Sequence, residues 1–79
     1  MNTPSQIVST LPVPTWATHI SIDINGVIMA WEDKPTLTNG KYERSNNSRW
    51  FTQIGTTTEI QCRGIYKITR KVIELENVE

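Results

Sequence analysis

At 79 residues, with no formal net charge and a single cysteine, the chain is one small domain without an internal disulfide. Such a domain buries only about 60% of the surface its unfolded chain exposes, so oligomerisation or dense packing of the tryptophans must supply the rest. One histidine and one cysteine cannot build a structural zinc site, and no stretch approaches the length of a membrane-spanning helix.

Residues 1–15, MNTPSQIVSTLPVPT, hold Pro4, Pro12 and Pro14, which argue against helix and against a central strand. They read as an extended or disordered arm, with Ile7, Val8, Leu11 and Val13 offering apolar surface to a neighbour, a second subunit included. The arm lacks Lys, Arg and a continuous apolar core, so it does not read as a signal peptide. With the lone cysteine, this points to the cytoplasm. Residues 16–79 read as a single small β domain.

WATHISIDINGVIMAWE, from Trp16 to Glu32, is two β-prone runs around Asn25-Gly26 and reads as a hairpin. A two-residue loop would set Ile24 opposite Val27, Ile22 opposite Met29 and Ile20 opposite Trp31, gathering the apolar residues on one face. His19 would then face Glu32. The alternative is a type I turn opened by Asp23 with a bulge at Gly26, which pairs Asp23 with Val27 and mixes the faces. The two-residue loop is preferred because it collects the apolar side chains.

EDKPTLTNG follows as a loop with a second Asn-Gly at Asn39-Gly40. KYERSNNSRWFTQIG then reads as a second hairpin turning at Asn46-Asn47, with Tyr42 opposite Phe51, Glu43 opposite Trp50 and Arg44 opposite Arg49. Like charges facing each other across a ladder are destabilising, so that arginine pair is either splayed into water or kept for an acidic partner. EIQC reads as a short strand. The final GIYKITRKVIELENVE carries Ile65, Ile68, Val72 and Leu75 at helical spacing but a strand-like composition; a helical turn near Arg63–Ile68 and a strand at Lys71–Glu76 reconcile the two.

Charge is uneven along the chain: residues 41–72 hold seven basic side chains against two acidic ones. A basic middle suits an anion, a nucleotide or an acidic protein surface, although a solvated face is the plainer reading. Nucleophile motifs, phosphate loops and paired-cysteine motifs are missing from the sequence, so neither an enzyme nor a cofactor is expected. Cys62 reads as a small buried hydrophobe. Trp16, Trp31, Trp50, Tyr42, Phe51 and Tyr66 interleave with arginines as in base-stacking proteins, but each is first read as core.

Trp16-Ala17, Asp23, Gly26, Trp31, Glu32, Lys34-Pro35, Trp50 and Ile54-Gly55 together form a pattern that resembles small accessory proteins encoded by tailed bacteriophages. The likeness spans about residues 16–68; Cys62-Arg63-Gly64 departs from it, standing where a Trp-containing turn is expected. It implies a setting rather than an activity: such proteins bind and block host factors, defence systems among them, and no residue role carries over.

The expectation is therefore an all-β or β-dominated α+β domain with an antiparallel sheet of three to five strands built from consecutive hairpins. It would act without catalysis by protein–protein contact with a host defence protein, and a homo-oligomer suits its size. Arg44, Asn46, Asn47 and Arg49, with Arg63 and Lys67 nearby, are the expected partner-binding residues. Sequestration of a nucleotide messenger at a subunit interface, or a nucleic-acid-associated or structural phage role, are the rival readings.

Overall fold

The computed structural model describes residues 3–45, 49–69 and 74–78. The domain is strand-dominated and antiparallel, as its sequence leads one to expect. A short helix α1 (Pro4–Val8) is followed by β1 (His19–Ile22), β2 (Val27–Trp31), β3 (Thr36–Thr38), β4 (Lys41–Glu43), β5 (Phe51–Thr56), β6 (Gly64–Ile68) and β7 (Leu75–Asn77). The main sheet has the order β5-β2-β1-β6-β7, and β3-β4 form a separate two-stranded ribbon.

The first hairpin takes the bulged turn, not the preferred two-residue loop. Ile22 lies opposite Ile28 and Ile20 opposite Ala30, while the Gly26 amide donates to the Asp23 carbonyl at 2.9 Å and the Asp23 amide to the Val27 carbonyl at 3.2 Å. The Asp23 side chain decides it. Its Oδ1 accepts the amides of Asn25 at 2.9 Å and Val27 at 3.0 Å, satisfying two loop donors that a two-residue turn would leave differently placed. Gly26 supplies the positive φ of 82°. His19 consequently pairs with Trp31 rather than Glu32.

The faces therefore mix, and both are used. Ile20, Ile22, Ile28, Ala30 and Tyr66 share one face, which forms the core with Val8, Ile54 and Cys62. Ile7, Leu11, Val13 and Ala17 pack against that core. Ser21, Met29 and Trp31 lie on the opposite face, where Trp31 is only 3% exposed and its indole N–H donates to Ser21 Oγ at 2.9 Å. The β3-β4 ribbon approaches this second face, leaving a groove of about 320 Å³ between Met29 and Trp31 on one side and Gly40 and Tyr42 on the other.

The expected extended or disordered arm is corrected at residues 4–8, which form α1 and lie on the domain's own sheet. Pro4 falls in the first helical turn, where its missing N–H costs nothing. Thr3 and Gln6 close a capping box, each side chain accepting the other's amide. The reward is Val8, fully buried. Ser5 Oγ also accepts the Leu75 amide at 3.1 Å, tying the N-terminal segment to the last strand.

The expected second hairpin does not form. β4 turns back on β3 through Asn39-Gly40, with Thr38 opposite Lys41 and positive φ at both loop residues, 52° and 80°. β5 instead pairs with β2, bringing Phe51 opposite Trp31. Arg44 and Arg49 are therefore not cross-strand partners; the expected turn at Asn46-Asn47 lies outside the described residues.

EIQC is a 3₁₀ turn at Ile60–Cys62 rather than a strand, and the helical turn expected near Arg63–Ile68 is strand β6 instead. Ile65 and Tyr66 are adjacent and both buried, which opposite faces of a strand allow and a single helical stripe does not. The Tyr66 hydroxyl donates to the Cys62 carbonyl, joining the turn to the strand. Of the strand expected at Lys71–Glu76, Leu75 and Glu76 are in β7, and residues 71–73 lie outside the described residues.

Candidate functional site: an aromatic and arginine patch

Arg49-Trp50-Phe51 leads into β5 at the outer edge of the sheet. Successive strand residues point to opposite faces, so three bulky side chains in a row cannot all enter one core. Trp50 is 50% exposed and Phe51 48% exposed. With Trp16 and Arg49 they line an open groove of about 390 Å³.

Each member is held. Trp16 meets Trp50 edge-on at a ring separation of 5.9 Å. Phe51 stacks on Trp31 at 5.3 Å, and Trp31 is fixed from below by its bond to Ser21. The Arg49 guanidinium carbon stands 5.3 Å from the Trp50 ring centre, within cation–π range. Glu32 anchors Arg49 by accepting its backbone amide at 2.6 Å and lying 3.7 Å from its guanidinium. The Glu32 amide in turn donates to the Trp50 carbonyl at 3.0 Å, and Thr18 Oγ1 donates to the Glu32 carbonyl at 2.7 Å.

His19 borders this network through a 2.7 Å contact between its Nδ1 and Thr18 Oγ1. Burial holds the imidazole below its ordinary pKa; Asp33 opposes the shift, and Lys67 and Lys34 reinforce it. Cys62 is buried, as its sequence context suggests, and burial, then Glu59, pushes its thiol upward. Among the described residues no three His, Cys, Asp or Glu side chains gather where a metal ion could sit, and no helix is long and apolar enough to cross a membrane.

The expected partner-binding residues are scattered rather than gathered. Arg49 belongs to the aromatic groove. Arg63 lies in a different depression of about 200 Å³ with Ile24, Leu37, Gly40 and Tyr42. Lys67 is exposed on β6 opposite His19, Arg44 is exposed just past β4, and Asn46 and Asn47 lie outside the described residues. Trp16, Trp50, Phe51 and Glu32 complete the patch but were not among the expected partner-binding residues; the unbroken Arg-Trp-Phe run signals Trp50 and Phe51, and no local pattern signals Glu32.

Comparison with protein-family models, curated proteins and solved structures finds no match to this chain.

Proposed function

We propose that this chain is a non-catalytic binding protein that covers part of a protein partner through the groove of Trp16, Arg49, Trp50 and Phe51. The observation that carries the reading is the pair of half-exposed aromatic rings beside an arginine, the side chains that dominate binding energy at protein interfaces. Their support by Trp31 and Glu32 lowers the ordering cost of binding. Arg44, Arg63 and Lys67, exposed elsewhere, would steer an acidic partner without touching it. The resemblance to tailed-phage accessory proteins supplies the setting, a host defence protein met in the host cytoplasm.

A nucleotide or single-stranded nucleic acid is served less well. The Arg49 guanidinium already lies beside the Glu32 carboxylate, which an incoming phosphate would also meet. The test offers a host lysate to immobilised wild-type chain and to a chain carrying both Arg49→Ala and Trp50→Ala, with thermal shifts measured against nucleotides and single-stranded DNA. Wild type should retain a protein that the double variant loses, with no shift from either small ligand. Equal retention by both, or a nucleotide- or DNA-induced shift that the double variant abolishes, overturns the reading.

A further inference from the structure

We infer that the outer edge of β5 is a pairing edge for β5 of a second copy of this chain, with Thr52 of each copy on the two-fold axis. The hydrogen bond from the Glu32 amide to the Trp50 carbonyl shows that Trp50 turns its main chain toward β2. Antiparallel ladders alternate, so Thr52, opposite Ala30, also faces β2. Phe51 and Gln53, opposite Trp31 and Met29, then turn their N–H and C=O groups away from the sheet. The β1 side agrees: the Trp31 carbonyl accepts from Thr18, so Trp31 bonds away from β5.

These outward groups match their own copies. With Thr52 on the axis, Phe51 of each chain lies opposite Gln53 of the other, and each such pair exchanges two main-chain hydrogen bonds. The bulge opposite Ile28 and Met29 breaks the alternation beyond Gln53, and Glu32 takes the Arg49 amide on the other side, which leaves Phe51 and Gln53 as the outward pairing residues.

Charge does not oppose a copy at this edge. Phe51–Thr56 holds no charged residue and no proline, so self-pairing sets no like charges opposite each other. The other edge, β7, is three residues long and carries Glu76 just after Glu74, so a copy there would meet its own acid. Thr52 and Gln53 are exposed, leaving this part of the edge accessible. A 79-residue domain also gains from burying surface against a second copy.

The test is sedimentation of the full chain up to high micromolar concentration, together with two substitutions at the axis. Thr52→Cys should form a disulfide-linked dimer under mild oxidation, because directly opposed residues of this kind bring their Cα atoms to about 4.5 Å; Thr38→Cys, on the β3-β4 ribbon and off the axis, should not. Thr52→Lys should convert the dimer to monomer while keeping the wild-type circular dichroism spectrum. A wild-type monomer with no Thr52→Cys crosslink, or a dimer that Thr52→Lys leaves intact, overturns the inference. Thr52 does not line the aromatic groove, so this outcome and that of the partner reading are separable.

Discussion

Glu32 holds Arg49 with both carboxylate oxygens, one accepting its backbone amide at 2.6 Å and the other 3.7 Å from its guanidinium. The carboxylate is mostly shielded, at 21% exposure, while the arginine is 77% exposed. The pair therefore contributes more to where the arginine stands than to how stable the fold is. Glu32→Gln keeps an acceptor for the amide and removes the charge. Chemical unfolding should show a change below about 1 kcal/mol, because solvent at the exposed arginine end screens the pair, while capture of the partner weakens because Arg49 is no longer fixed over Trp50.

Gly26 and Gly40 have nearly the same backbone angle, φ 82° and 80°, in different surroundings. A Cβ on Gly26 would lie 1.9 Å from the Thr57 carbonyl oxygen, whereas one on Gly40 meets nothing within 4 Å. Gly40→Ala should therefore cost about 1 kcal/mol for the left-handed conformation alone. Gly26→Ala should cost well over ~2 kcal/mol, because the turn must also part from the start of the Thr57 loop. Urea midpoints of the two variants, compared at equal m-value, check the ordering.

Ser21 Oγ is the acceptor for the Trp31 indole, and both residues are buried. Ser21→Ala leaves that N–H without its acceptor and should destabilise the fold by about 1–3 kcal/mol, measured by chemical unfolding. Because Phe51 stacks on Trp31, the near-ultraviolet dichroism of the aromatic rings should change as well.

The hairpin grammar of the sequence holds best where no side chain competes with it. At Asn39-Gly40 the dipeptide makes the tight two-residue turn. At Asn25-Gly26 the neighbouring Asp23 captures two amides and imposes a longer, bulged loop, which exchanges the partners of every residue in the pair. Pro4 misleads for a similar reason. Proline opposes helix in its interior but not at its first turn, and only the Thr3–Gln6 capping box distinguishes the cases. The patch is less legible still, because Trp31 and Trp50 look alike in the sequence. Which one is buried follows from β5 joining β2, a long-range pairing that local residue pattern does not encode.

His19 gives the fold a pH dependence. Its pKa is lowered in the folded state, so the unfolded chain binds the proton more tightly. The stability this histidine contributes is present above the unfolded value of 6.5 and is lost as the pH falls through it toward the lower folded value. Urea unfolding should show a drop from neutral pH into this window that His19→Gln reduces, and the His19 proton resonances should titrate with a midpoint below 6.5.

Capture of the proposed protein partner by two exposed single variants, matched for thermal stability, tests the central claim most directly. Trp50→Ala removes a ring from the groove, and Lys67→Ala removes a charge from β6. The account predicts that Trp50→Ala loses the partner while Lys67→Ala retains it. Retention by Trp50→Ala together with loss by Lys67→Ala would contradict it.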